Sequence, residues 1–126
     1  MPSGSAIPAN YRLSYGERYP DPKGYFMRKA YLIAELTIND GDAYERYRQH
    51  VVLTLEAVGA RFLVRGGKRM QMEGTDAQHH DDLRTVIVEF PSMEVALAWY
   101  ESPAYAPLIE LRRSATASRV FFVEGT

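Results

Sequence analysis

Residues 84–100, RTVIVEFPSMEVALAWY, contain the pattern that decides the fold. The first seven are rich in β-branched and aromatic residues, which predicts a strand over Arg84–Phe90. Pro91 and Ser92 interrupt this pattern, and Ser92 is the expected N-cap of a helix. The apolar residues that follow recur at steps of three and four, as in an amphipathic helix. The segment therefore predicts a strand that is followed closely by a helix.

A second strand and helix lie upstream. Residues 31–37, YLIAELT, predict a strand, and Asn39, Asp40 and Asp42 follow it as candidate N-caps. Asp42 with Glu45 three residues later fits a variant of the capping box. The helix that follows has an apolar stripe at spacings of three and four, formed by Tyr44, Tyr47, Val51, Leu55 and Val58.

Two further strands, at Arg61–Arg65 and Ser118–Glu124, complete the pattern. Before the last strand, Ser102 and Pro103 predict a restarted helix, in which Pro107 costs a hydrogen bond unless the helix begins late. The order β-α-β-β-α-β predicts an α+β domain of the ferredoxin-like class, with an antiparallel or mixed four-stranded sheet. We expect right-handed crossovers to place the first and third strands side by side and parallel, with both helices on one face.

The 126 residues are enough for one domain. The regular pattern spans residues 29–126, and residues 1–28 differ from it. This N-terminal arm contains four of the seven prolines and four of the nine tyrosines, which predicts an irregular segment. Three interpretations of the arm stay open: it is disordered, as free termini usually are; its tyrosines pack on its own domain or on a partner; or Met27 is the natural start of the protein.

Composition excludes several classes of protein and site. The formal net charge is −1, so no basic excess is present to bind a nucleic acid. The chain has no Cys, which excludes disulfides and thiolate metal sites. No apolar run approaches the roughly 18 residues of a membrane span, and the start lacks a secretory signal, so we expect a cytoplasmic protein without a membrane partner. His79, His80, Asp81 and Asp82 are metal-ligand types, but adjacent ligands in a loop seldom form a closed site, and no metal or other cofactor is expected.

The predicted strands are apolar on both faces. Val86, Ile87 and Val88 are consecutive, and residues 31–37 and 118–124 contain similar runs. A sheet with one solvent-exposed face alternates apolar and polar residues instead. Because two helices cover only one face, we predict a homodimer in which the sheets of two copies pack together around a two-fold axis.

Several motifs resemble those of a known family. They are Tyr31–Glu35, Asp42–Arg48, Gly59–Gly67, Val88–Glu94 and Ala98–Tyr105. On these motifs, the chain from about Lys29 to Gly125 is similar to the domain of unknown function 1330 family within the dimeric α/β-barrel superfamily. The resemblance implies the ferredoxin-like fold and the sheet-to-sheet dimer. It implies no activity, because that family has none established.

Glu35 and Glu89 are the candidate catalytic residues. They lie near the ends of the two strands expected to be parallel neighbours, and two nearby carboxylates raise one another's pKa, so that one can hold a proton at neutral pH. This arrangement would provide an acid/base pair. The alternative is that each carboxylate forms an ion pair with an Arg or reaches solvent at the end of the sheet.

Cationic and aromatic side chains are the candidate ligand-binding residues. Arg65, before two glycines, and Arg112, near the end of the last helix, offer planar donors that suit a carboxylate. The alternatives are a solvated charge beside a turn and a favourable contact with the helix dipole. The aromatic candidates, which could instead be core residues, are Tyr44, Tyr47, Trp99 and Tyr105.

These residues predict a small homodimer that binds a small apolar or aromatic molecule with an anionic group. The first hypothesis adds a cofactor-free enzyme that works by proton transfer. The second is a non-catalytic binding or stress-associated module in which the charges are structural. A third, haem handling, requires a His facing the pocket, and His50 is the only candidate.

Overall fold

The computed structural model describes residues 28–74 and 83–126. Almost all of the N-terminal arm, Met27 included, and the loop with His79 and His80 lie outside these ranges. The elements are β1 (Ala30–Ile38), α1 (Gly41–Glu56), β2 (Arg61–Arg65), β3 (Arg84–Phe90), α2 (Met93–Tyr100), α3 (Ala106–Ala115) and β4 (Thr116–Glu124). Their order confirms the predicted α+β, ferredoxin-like fold.

The four strands form one sheet in the order β2-β3-β1-β4, and every neighbouring pair is antiparallel. The first and third strands are neighbours, as expected, but the prediction that they run parallel is wrong. The crossover through α1 relates β1 to β2, which are not adjacent in the sheet. The chain then reverses, so β3 enters between them and runs against both.

One face of the sheet is covered by the helices. The buried residues of β1 are every second one from Ala30 to Leu36, and those of β3 are Val86, Val88 and Phe90. This period of two places their side chains on one face. They belong to one buried apolar cluster with residues of α1, α2 and α3.

The other face, which we call the open face, carries the alternate residues. Ile33 lies between Ile87 of β3 and Phe121 of β4 in the register, and Tyr31 lies beside Val123. Phe121 and Val123 are 43% and 45% exposed. The sheet therefore has apolar residues on both faces, and no helix in the described ranges packs against the open face.

The start of α1 is set by Asp40. Its backbone is extended and its Oδ1 accepts a hydrogen bond from the amide of Ala43 at 3.1 Å. Of the candidates in the sequence, Asp40 is thus the N-cap, and the capping box of Asp42 with Glu45 is wrong because Asp42 already lies in the first helical turn. Beyond the other end, Gly59 adopts φ +77°, which suits glycine.

The last helix begins later than Ser102 and Pro103 predict. Residues 101–105 form turns, in which the Ser102 hydroxyl donates to the Trp99 carbonyl and accepts from the Tyr105 amide. Because α3 starts at Ala106, Pro107 lies in its first turn, where a helix needs no amide donor. Because the helix starts late, Pro107 does not cost it a backbone hydrogen bond.

None of the helices in residues 28–74 and 83–126 combines the length and the apolar character needed to cross a bilayer. These ranges also contain no cluster of three or more His, Asp or Glu side chains that could ligate a metal ion.

Candidate functional site

A cleft lies between the helix-covered face of the sheet and the helices. We call it the central cleft; the space within it, including its opening to solvent, is about 510 Å³. Its apolar walls come from the strands and α1: Leu32, Ala34, Leu36, Val51, Leu55, Phe62, Val86, Val88 and Val120. Its polar and aromatic lining is Tyr44, Tyr47, Arg48, Arg65, Trp99, Tyr105 and Arg112. Three of these side chains are cationic, and none of the described lining residues is acidic.

Three aromatic side chains form the inner end of the cleft. The rings of Trp99 and Tyr105 stack with centroids 4.0 Å apart, and both residues are almost fully buried. The Trp99 indole donates to the Thr54 hydroxyl at 2.9 Å, so its polar atom is satisfied. The hydroxyl oxygens of Tyr47 and Tyr105 are 2.8 Å apart and share a hydrogen bond. Burial and this bond fix the orientation of both phenols.

The phenols of the cleft are held in their neutral, donor form. Burial raises the pKa of Tyr47 well above its ordinary value, and the neighbouring Tyr105 raises it further. Burial also raises the pKa of Tyr105 and of Tyr44. The bond between Tyr47 and Tyr105 uses only one of their two hydroxyl protons. No other described acceptor bonds either hydroxyl, so the second proton remains available to a molecule in the cleft.

Arg112 lies beside this pair and is 6% exposed. Its Nη1 donates to the Ser118 hydroxyl at 2.8 Å, and its guanidinium lies close enough to Tyr105 and Tyr47 to interact with both electrostatically. Burial alone would lower the pKa of Arg112, but Tyr105, Tyr47 and Tyr100 outweigh that effect and raise it, so the group stays positively charged. Its Nε has no hydrogen-bond partner, and no carboxylate of residues 28–74 or 83–126 forms an ion pair with it. A buried cation with an unused donor is therefore part of the cleft lining.

The other two arginines lie on the β2 side of the cleft, which we call the cleft mouth. The Arg65 guanidinium lies 4.1 Å from the centroid of the Phe62 ring, and its Nη2 donates to the Arg48 carbonyl at 3.2 Å. Arg48 forms an exposed ion pair with Glu45 at 3.0 Å. Burial and the nearby positive charge of Arg48 lower the pKa of Arg65. The mouth thus carries two guanidinium groups close together.

The structure brings six predicted ligand-binding residues to this one cleft: Arg65, Tyr44, Tyr47, Trp99, Tyr105 and Arg112. Trp99 also belongs to the hydrophobic core, where aromatic residues beside a helix break are commonly found. The sequence prediction missed Arg48, although it follows Tyr44 by four residues and so shares its helix face. It also missed Thr54 and Ser118, for which no local pattern gives a signal.

The predicted catalytic residues are not in the cleft. In the register, Glu89 lies opposite Tyr31 and Glu35 lies opposite Thr85, so the two carboxylates are four residues apart along β1, or about 13 Å. The prediction that they form a close pair is wrong, because it depended on parallel strands. Both belong to the open face.

Each carboxylate has cationic partners instead. Glu35 bonds Arg119 at 3.0 Å, and Glu89 bonds Arg61 at 3.0 Å with Lys29 at 3.8 Å. These contacts match the alternative that the sequence left open, in which each carboxylate forms an ion pair with an Arg.

His50, the candidate for a haem ligand, does not line the central cleft. It is exposed on α1, and its Nδ1 bonds the Arg46 carbonyl at 2.7 Å. The described residues therefore offer no imidazole to a group bound in the cleft.

Known proteins share this sequence pattern and this fold. The family described as "Domain of unknown function (DUF1330)" matches residues 29–126. Two structures of RPA0582, a protein of unknown function from Rhodopseudomonas palustris, are similar at 16% identity. For the methylated protein the TM-score is 0.69, and the match covers 100% of this chain and 97% of that one. For the other structure the TM-score is 0.68, and the match covers 98% of each chain.

A third similar structure is SnoaB, a cofactor-independent oxygenase from Streptomyces nogalater. Its TM-score is 0.56 at 11% identity, and the match covers 79% of this chain and 94% of SnoaB. At these identities the likeness establishes the fold alone. No curated protein matches the chain. The family match and the shared fold confirm the resemblance stated from the sequence.

Proposed function

The chain belongs to the DUF1330 family, described only as a domain of unknown function, and we propose that its central cleft binds a small apolar or aromatic molecule through an anionic group. The observation that carries this proposal is the buried Arg112 guanidinium, which has an unused Nε donor and no described carboxylate partner. A buried charge is costly unless it is paired. An anionic ligand would supply the missing partner.

The neighbours of Arg112 favour a carboxylate or a similar oxyanion. The hydroxyl pair of Tyr47 and Tyr105 offers one free proton next to the guanidinium. Charge-assisted hydrogen bonds from an arginine fork and a neutral hydroxyl suit the two oxygens of a carboxylate. The aliphatic walls and the Trp99 ring suit an apolar or aromatic body attached to it.

A second candidate function is cofactor-free proton transfer. The same donors would stabilise negative charge that develops on a substrate oxygen, and a cofactor-independent oxygenase with this fold is known in SnoaB. The described cleft lining offers no carboxylate or imidazole as a base. Incubating the protein in heavy water with an acid that carries an acidic C–H bond, and following exchange of that hydrogen by NMR, tests this candidate. Exchange faster than in buffer supports it, and exchange at the buffer rate rejects it.

We also propose that the open face is the surface of a homodimer. Its apolar centre, Ile33, Ile87 and Phe121, is flanked by the ion pairs of Glu35 and Glu89 at its two ends. A stable interface removes about 1,200–2,000 Å² from water, which one sheet face from each copy can approach. The pattern of an apolar centre and a charged rim is typical of such interfaces.

The binding proposal is tested by fluorescence, because Trp99 is the only tryptophan and lines the cleft. Benzoate and cinnamate are titrated beside benzamide and cinnamamide, which have the same shape without the charge. We expect the acids to change the emission saturably and the amides to bind at least about tenfold more weakly, since they form no charge-assisted bond. Equal binding of acids and amides, or no binding of any acid, would overturn the proposal.

A further inference from the structure

The central cleft has cationic groups at two separate places. Arg112 lies at the inner end, beside β4, whereas Arg48 and Arg65 lie at the mouth, beside β2. This deepens the proposed function, on which it rests. We propose that the cleft selects a dianion: an apolar molecule with one acidic group at Arg112 and a second acidic group at Arg48 and Arg65.

The sheet separates the two places. In the strand order β2-β3-β1-β4, Arg65 is on the first strand, and Ser118, which bonds Arg112, is on the last. Neighbouring strands are spaced about 4.8 Å apart, so three spacings put these two strands about 14 Å from each other. A ligand that contacts both arginines therefore has its two acidic groups at opposite ends of one short body.

The surface between the two places is apolar. Arg65 lies level with Val86 and Ala34 in the register, and Val120 continues that row on β4. These three residues line the cleft and offer no hydrogen bond to a polar ligand centre. The body of the ligand is therefore expected to be a hydrocarbon chain or a single ring, and only its ends are expected to carry charge.

The charge at the mouth is not fully compensated within the cleft lining. Glu45 pairs with Arg48, but it is exposed, and an exposed pair of this kind contributes little. Arg65 has a carbonyl and a ring as its contacts rather than a described carboxylate. Burial and, after it, the positive charge of Arg48 lower the pKa of Arg65, and the charge of Glu45 opposes them. An added carboxylate would offset the positive charge of both side chains and accept hydrogen bonds from them.

The electrostatic effects on the tyrosines agree with two separate charged places. Burial has the largest effect on the pKa of each of these tyrosines. Among the cations, Arg48, Arg84 and Arg65 lower the pKa of Tyr44. The pKa values of Tyr47 and Tyr105 are instead lowered by Arg112. Tyr44 and Tyr47 are adjacent on α1, with ring centroids 6.0 Å apart. The phenols therefore line the route between the mouth and the inner end.

The test compares diacids with monoacids of equal carbon number in the full-length protein, with Trp99 fluorescence as the readout. Adipate is paired with hexanoate, suberate with octanoate, and benzene-1,4-dicarboxylate with 4-methylbenzoate, at low ionic strength. We expect the best diacid to bind about tenfold more tightly than its monoacid, because it gains a second set of charge-assisted bonds. Across the series from succinate to sebacate, affinity should pass through a maximum at the length that matches the cleft.

Variants at the mouth assign the second acidic group. Arg48→Gln and Arg65→Gln should each reduce the advantage of the diacid, and the double variant should bring the ratio of diacid to monoacid affinity close to one. Arg46→Gln is the matched control, because it removes the same charge from an exposed position of α1 outside the cleft. It should keep the advantage of the diacid.

The outcomes separate this inference from the proposed function. If monoacids bind and diacids bind no more tightly in the wild-type protein, the dianion is wrong and the binding site at Arg112 stands. If the double variant keeps the diacid advantage, the second group is not at the mouth, and the inference is equally overturned. If neither class of acid binds, the proposed function itself fails. The wild-type comparison gives a decision even where a variant does not fold.

Discussion

The hydroxyl oxygens of Tyr47 and Tyr105 lie 2.8 Å apart, although the two residues are separated by 58 positions in the chain. Tyr47 is on the inner stripe of α1, and Tyr105 is the residue before α3. Arg112, two turns later in α3, lies close enough to Tyr105 to interact with it electrostatically. Packing of α1 beside α3 thus brings two phenols and a guanidinium to the inner end of the cleft, where the guanidinium and the one phenol with a free proton can donate to the same oxyanion.

The protonation of these tyrosines predicts how stability depends on pH. Burial raises the pKa of Tyr47 and Tyr105 in the folded protein above the value of about 10 that an unfolded tyrosine has. Above about pH 10 the unfolded chain therefore binds fewer protons than the folded chain, and stability falls as pH rises. Each tyrosine that stays protonated contributes a slope of about 1.4 kcal/mol per pH unit, and its contribution is fully present below about pH 10.

Urea unfolding at a series of alkaline pH values measures this slope. Tyr47→Phe should make the decline shallower by about one tyrosine's share, because phenylalanine does not titrate. At neutral pH the same variant should lose only the hydrogen bond to Tyr105, worth about 1 kcal/mol. A slope in Tyr47→Phe as steep as in the wild-type protein would contradict the raised pKa of Tyr47.

Arg112 is predicted to contribute to binding much more than to stability. Arg112→Met replaces a buried guanidinium with an apolar chain of similar length, which removes a desolvation cost along with the bond to Ser118. We expect the free energy of unfolding to change by no more than about 1 kcal/mol. The affinity for aromatic acids should fall at least about tenfold.

Arg113→Met is the matched control for that variant. Arg113 is the next residue, and its exposed side chain pairs with Glu110 outside the cleft. Fluorescence titration and urea unfolding are measured for both variants. Unchanged acid affinity in Arg112→Met would remove the basis of the binding proposal, as would an equal loss of affinity in Arg113→Met.

The open face predicts the effect of a charge at its centre. Phe121→Glu puts a carboxylate beside Ile33, and in a two-fold dimer the substitution occurs twice. Burying one phenylalanine contributes about 1.5–3 kcal/mol, so losing two raises the dissociation constant of the dimer at least about 100-fold. Analytical ultracentrifugation should find a dimer for the wild-type protein and a monomer for the variant at micromolar concentration.

Leu53→Glu provides the control for the open face. Leu53 is also an exposed apolar residue, at 66% exposure, but it lies on α1. This variant should remain dimeric. A monomeric wild-type protein, or dissociation caused equally by both substitutions, would rule out the open face as the dimer interface.

The N-cap of α1 can be assigned by paired substitutions. Asp40→Ala removes the side-chain bond to the Ala43 amide and should lower the free energy of unfolding by about 1 kcal/mol. Asp42→Ala removes only the favourable contact of a first-turn carboxylate with the helix dipole, worth about 0.3–1 kcal/mol at an exposed site. Thermal or urea unfolding compares the two. A larger loss for Asp42→Ala would show that the capping box, rather than Asp40, sets the start of the helix.

The local pattern of the chain predicted its elements well. Arg61–Arg65 and Arg84–Phe90 are strands over the residues that the sequence indicated, and α1 buries Tyr44, Val51 and Leu55 of its predicted stripe. Helix starts were less well determined, because Asp40 and Asp42 are both good caps and Ser102 precedes a turn instead of a helix. At these positions the same residues are compatible with several local conformations, and tertiary packing selects one of them.

The sequence by itself determined which residues form strands and helices, the order of those elements and the apolar character of both sheet faces. These properties follow from the period of two or 3.6 residues within one short segment. Only the tertiary structure decided that β1 and β3 run antiparallel, which separates Glu35 from Glu89, and that Tyr47, Tyr105 and Arg112 meet. The physical reason is that strand direction, register and convergence of side chains depend on packing between distant segments, and no periodicity within one segment specifies them.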